Sequence, residues 1–213
     1  MTNPNCLCGI VTPGPHPDCP MHPPYVLGLD TALRRTGVAA ITHRAGACEA
    51  QTWVIATPTP RADTVAAHVA AIESVTRQLV DILNRMARQP ELALIEAPSY
   101  GSIHGSPHER AGVWWSAAAM LGRRGIPVGT CAPMTRAKWA TGNGRADKAA
   151  VVRAMYQLWP GLGCTQSEAR HNEADALALA HACAQRLRWP VPVRRHHGDS
   201  LAVIRWPDTE APR

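Results

Sequence analysis

"YVLGLDTALRRTGVAAI", residues 25–41, is the stretch on which the reading of this chain turns. Five apolar or small residues run straight into an acid, Asp30. A polar turn, Gly37 and a second apolar run follow. The first run reads as a buried strand, and a carboxylate is an odd way to end one. Asp30 followed by Thr31 fits an Asx-turn. It equally fits a residue facing a site that needs negative charge.

Working outward, 36–43 and 48–55 read as two further strands joined by "HRAGA", giving with 25–30 an antiparallel meander. Residues 62–88 place Val65, Val69, Ile72, Val75, Leu79, Ile82 and Met86 three or four apart, which predicts an amphipathic helix. "LALIE", 92–96, is another apolar strand ending in an acid, Glu96. A helix over 108–124, a strand over 126–133, helices over 134–140 and 146–158 flanking "TGNGRA", and a helix over 172–187 complete the core. This order predicts an α/β fold: a mixed sheet of three antiparallel strands followed by αβ crossovers, with helices on both faces. Right-handed crossovers set strand 92–96 parallel to strand 25–30 and beside it. The expected organisation is a Pro/Cys-rich arm over 1–24, one domain over 25–190, and a tail over 191–213 that alternates around "HHGDS" as a hairpin would.

The bulk properties agree with a globular chain. It has 213 residues, 46% hydrophobic and 18% charged, enough to bury a core. No apolar run approaches the roughly 18 residues of a membrane span, and "MTNPNCLCG" lacks the basic start and apolar core of a secretory signal. Seven cysteines, four of them (Cys48, Cys131, Cys164, Cys183) scattered singly, point to a reducing compartment and a cytoplasmic location. The net charge of +6 fits a nucleic-acid partner, and equally a merely basic protein.

If Asp30 and Glu96 end neighbouring strands, their side chains emerge together and repel unless a cation joins them. Hard divalent ions such as Mg²⁺ take oxygen ligands of this kind. Asp175 is a third acid, in the first turns of an Ala/Leu helix, with Asn172 three residues before it on the same face and Glu173 two before. Blander roles exist for the last two, Asn172 as a helix cap and Glu173 as a first-turn acid. Acids holding two metals about 3.5–4 Å apart suit in-line attack of water on a phosphodiester.

"LGLDTALRRTGVAAI", "LALIEAPSY", "KWATGNGRADKAAVV" and "NEADALALA" together resemble the landmarks of the RuvC-type Holliday-junction resolvases, in the ribonuclease H-like superfamily, over about residues 25–188. The resemblance implies a homodimeric, Mg²⁺-dependent endonuclease that makes paired cuts at a four-way DNA junction, in a bacterium or a phage-infected one. Carried over by position, Asp30, Glu96 and Asp175 are metal ligands. The family places an acid or a His three before the last Asp. Here that residue is Asn172, so the extra ligand is Asn172 or Glu173.

Between 133 and 153 lie Arg136, Lys138, Arg145, Lys148 and Arg153 against one acid, Asp147. The chain's two lysines are both here, ten apart. In so Arg-biased a sequence this hints at a need for a compact ammonium; a solvated helix face is the plainer reading. The resemblance implies phosphate contacts for Arg136, Lys138 and Arg145, and for Lys148 charge stabilisation beside the metals. Tyr100, in the loop after Glu96, is the aromatic expected to stack on an exposed base, one residue away from the family's usual position.

The arm offers Cys6, Cys8, Cys19, His16 and His22 within 17 residues. That is enough for a structural Zn²⁺, with Cys6, Cys8, Cys19 and His22 preferred, although the spacing is not that of a standard finger; incidental thiols are the alternative. Two other functions stand beside the nuclease. One is a non-catalytic, zinc-stapled nucleic-acid-binding protein on a nuclease fold. The other is an actin-like or sugar-kinase-type phosphotransferase, for which the required second Asp-Gly turn and Gly-Gly segment are missing from the sequence.

Overall fold

The computed structural model describes residues 22–58, 60, 62–86, 88–98, 107–162 and 169–208. Three strands open the fold: β1 (Tyr25–Asp30), β2 (Arg35–Arg44) and β3 (Ala47–Ala56). They form the expected meander, β1 antiparallel to β2 and β2 to β3. Ala45 and Gly46, both at positive φ, make the two-residue turn between β2 and β3, the geometry that matches strand twist.

Helix α1 (Val65–Arg85) follows, capped by the Thr64 hydroxyl, which accepts from the Ala67 amide. Its buried stripe is Ala71, Val75, Leu79, Ile82 and Leu83, a spacing of three and four that turns one face to the sheet. Strand β4 (Leu92–Glu96) then pairs in parallel with β1, helix α2 (Pro107–Arg123) crosses over, and β5 (Val128–Cys131) pairs in parallel with β4. The sheet order is β3-β2-β1-β4-β5. Helices α3 (Pro133–Thr141), α4 (Lys148–Leu158) and α5 (Ala169–Arg186) complete the domain.

The sheet is covered on both sides, so its central strands are apolar on both faces. Leu27, Leu29, Ala93 and Ile95 pack with α1 and α2. Val26, Leu92 and Leu94 pack with α3, α4 and α5. Helix α5 is buried almost all round, with Ala174, Ala176, Ala178, Ala180, Ala182 and Ala184 inside. Its small side chains let it lie directly on β1: a Cβ added at Gly28 would collide with the Ala176 carbonyl oxygen and the Ala180 amide nitrogen. The same holds where Gly37 of β2 meets the Asn172 carbonyl.

The tail corrects one expectation. Instead of a hairpin over 191–206, the chain forms helix α6 (His197–Ala202) and a single antiparallel bridge from Arg205 to Thr130 of β5. Tertiary contacts decide this. The His197 ring stacks on Trp139 of α3, centroids 4.1 Å apart, and the Trp206 indole donates to the Leu201 carbonyl at 3.1 Å. Among the described residues no helix is long and apolar enough to cross a membrane.

Candidate active site

Alternation along the strands sets the site. On β1, Leu27 and Leu29 face α1 and α2 while Val26 and Gly28 face α5; with a period of two, Asp30 shares the α5 face. On β4 the same argument puts Glu96 with Leu92 and Leu94. The parallel register runs from Val26 beside Leu92 to Leu29 beside Ile95. One residue further, Asp30 and Glu96 leave adjacent strands side by side. Asp175 projects from α5, which lies across this face, and is buried.

Neighbouring elements fix these positions. The Trp114 indole of α2 donates to the Glu96 carbonyl at 2.9 Å, holding the end of β4. The Thr36 hydroxyl donates to the Ala32 carbonyl at 2.7 Å and accepts from the Ala32 amide at 3.1 Å, which ties down the turn after Asp30. Both contacts escape a reading of the sequence alone, because they depend on where α2 and β2 come to rest.

Arg136 occupies the middle of the acids. Its Nε donates to Glu96 Oε2 and its Nη1 to Asp175 Oδ1. The side chain is only 10% exposed, against 15% for Glu96 and 7% for Asp175. Arg136, expected from the sequence to contact DNA, has its guanidinium inside the cluster. A signal was present in the sequence. Arg136 stands three and four residues before Trp139 and Ala140, on the buried face of α3, whereas Lys138 does not.

The electrostatics are those of crowded carboxylates. Burial pushes the Asp30 carboxyl well above the usual carboxylate range, and Glu96 and Asp175 push it further; Arg136 and Lys148 pull it back. Burial raises Asp175 to about 6 against the pull of Arg136, with Glu96 adding to the rise. Burial works against the charge on Arg136, and Glu96 and Asp175 more than restore it, so the guanidinium stays protonated. Lys148, exposed at the start of α4, acts on both Asp30 and Asp175.

The other sequence-derived candidates are placed as follows. Asn172 donates its side-chain amide to the Arg35 carbonyl. Glu173 accepts from the Thr52 hydroxyl at 3.2 Å and lies 3.7 Å from Arg170. Both are thus engaged along β2 and β3 rather than by the three acids. Lys138 and Arg145 are exposed on either side of a built turn: Gly142 closes α3 at φ +84°, and the Asn143 side chain accepts from the Arg145 amide at 2.9 Å. Trp115 is 66% exposed, beside the half-buried Trp114. Tyr100, Cys6, Cys8 and Cys19 lie outside the described residues; His22 is within them, its carbonyl accepting from Arg88.

Three mutually repelling carboxylates, two of them bridged by one cation, have the donor chemistry of a divalent metal site. Among the described residues, however, no group of three or more His, Cys, Asp or Glu side chains is drawn up around a common point. The guanidinium stands between two of the acids instead.

Comparisons with known proteins bear on the family and the fold. A family model described as "Crossover junction endodeoxyribonuclease RuvC" matches residues 26–183. A protein of that name from Streptomyces avermitilis is 34% identical over 180 residues, covering 84% of this chain and 94% of the relative. Another, from Frankia casuarinae, is 31% identical over 155 residues, 73% of this chain and 86% of the relative. Among solved structures, Thermus thermophilus RuvC superposes with a TM-score of 0.60 at 19% identity, covering 79% of this chain and 99% of that one. The same protein in complex with a Holliday junction substrate superposes equally well, at 20% identity. At such identity these two likenesses speak for the fold alone.

Proposed function

The chain belongs to the RuvC family of crossover junction endodeoxyribonucleases, and from that membership we propose that Asp30, Glu96 and Asp175 hold the divalent metal, Mg²⁺, with which it cuts. The protein is an endonuclease that resolves four-way DNA junctions. Asp30 and Glu96 leaving adjacent strands side by side, with Glu96 and Asp175 on one guanidinium, is the observation that supports this site assignment. The phosphotransferase and non-catalytic readings fall away with family membership.

Metal held there supplies an activated water and steadies the leaving oxygen as a backbone P–O bond breaks. The chain's own residues do the rest. The Asp147 side chain caps α4 by accepting from the Ala150 amide at 2.6 Å, which fixes Lys148 at the helix start. From there the ammonium offsets charge building on the phosphate. Lys138 and Arg145, exposed across the Gly142 turn, grip backbone phosphates on either side of the cut. Tyr100 stacks on a base exposed at the junction. Glu173 or Asn172 is the further ligand; the Arg35 contact of Asn172 uses its amide nitrogen and the Thr52 contact of Glu173 one of its two oxygens. Symmetric cuts require two active sites, so the working unit is a homodimer. Cys6, Cys8, Cys19 and His22 are the donors proposed for a structural zinc.

Labelled four-way junction and matched linear duplex, each incubated with the protein in Mg²⁺ or EDTA, test the reading. Paired nicks are expected on the junction in Mg²⁺ only, from a preparation carrying about one zinc per chain. Junction binding with no cutting in Mg²⁺ would overturn the site assignment; a zinc-free preparation would overturn the arm's metal.

A further inference from the structure

The position of Arg136 has a consequence for metal loading. Its Nε and Nη1 take Glu96 and Asp175, from different elements, with one fork. A guanidinium does not deprotonate, so its charge cannot be discharged to make room. A carboxylate oxygen committed to the guanidinium is unavailable to a metal at the same point, and a divalent ion beside a buried guanidinium is repelled. Metal and Arg136 therefore compete for the same two acids.

We propose that Arg136 is a displaceable internal cation, which neutralises Glu96 and Asp175 in the metal-free protein and must swing out before a divalent ion can occupy them. This inference rests on the metal-dependent nuclease reading. Two features favour exchange over permanent pairing. Asp30 is left without a direct partner by the fork, so the cluster stays under-neutralised with Arg136 in place. And Arg136, in the first turn of α3, is not fully enclosed: its side chain keeps 10% of its surface open to solvent. The latch weakens metal binding and in return holds the acids together without metal.

The test uses Mn²⁺ as the probe, with free ion counted by electron paramagnetic resonance in titrations of the full-length wild type, Arg136→Gln and Arg136→Lys. The Gln variant is expected to bind Mn²⁺ at least about tenfold more tightly than wild type. It is also expected to melt at a lower temperature in EDTA and to gain more from saturating Mn²⁺. The Lys variant keeps the charge without the fork, is expected to fall between the two, and carries the test if the Gln variant does not fold in EDTA. A Gln variant with unchanged or weaker Mn²⁺ affinity, or a Lys variant indistinguishable from wild type, would overturn the latch while leaving the nuclease reading intact. Mn²⁺ binding by none of the three proteins would overturn both.

Discussion

At the scale of single residues the site rests on what is small as much as on what is charged. Gly28, two residues before Asp30, lets α5 lie on β1 so closely that its carbonyl and amide groups fill the place of a side chain. The obstacle is backbone, which cannot rotate aside as a flexible side chain would. Gly28→Ala is therefore expected to cost roughly 3 kcal/mol in denaturant unfolding and to lift Asp175 away from Asp30. A variant as stable as wild type would show that the helix yields freely. Asp30 and Glu96 were legible in the sequence because each follows an apolar run with the strand period and falls on the same face as its alternate neighbours. The pairing of Arg136 with the acids is not legible, because a basic run looks solvated; only its place on the buried face of α3 hints at it.

At the scale of elements, the strands and long helices of the core are legible by different signals: α1 by its apolar period, β1 and β4 as short unbroken apolar runs, and α5 as a long Ala/Leu run. The tail is not. Six residues of helix are too short for a period to emerge, and contacts outside the segment decide its form. Its anchor is a buried imidazole pair. His197 lies between Trp139, His196 and His181, accompanied by Arg194 and with Gln185 2.8 Å from its Nδ1. His181 receives the Trp159 indole N–H at Nδ1 and lies 2.9 Å from the Pro192 carbonyl through Nε2. Burial, then the neighbouring His197, pushes His181 down to about 3. Burial, then His196 and Arg194, pushes His197 down to about 4. Both lie below the ordinary value of 6.5, so between 6.5 and 4 these two groups bind more protons in the unfolded chain than in the folded one, while Asp30 and Asp175, raised in the fold, act in the opposite sense. The pair's stabilisation is full above pH 6.5 and is lost as pH falls towards 4, on the order of a few kcal/mol. Across that window His197→Phe is expected to lose less melting temperature on acidification than wild type, while keeping the ring stack. An unchanged slope in that variant would place the acid sensitivity elsewhere.

At the scale of the whole molecule, the fold gathers residues from distant parts of the chain to the end of the sheet where β1 and β4 finish: β1, β4, α3 and α5 each contribute one charged group. The in-phase parallel register of β1 and β4 sets two acids side by side, and the alanine surface of α5 brings the third. The basic turn between α3 and α4 opens beside the same end, which suits a phosphate backbone drawn across it. Metal at these acids is the central claim, and anomalous diffraction locates it directly. In crystals of the full-length protein bound to junction DNA and soaked in Mn²⁺, the manganese signal is expected among Asp30, Glu96 and Asp175, with Arg136 withdrawn from them. A map with Arg136 still bridging Glu96 and Asp175, and manganese held only by other residues, would contradict the account.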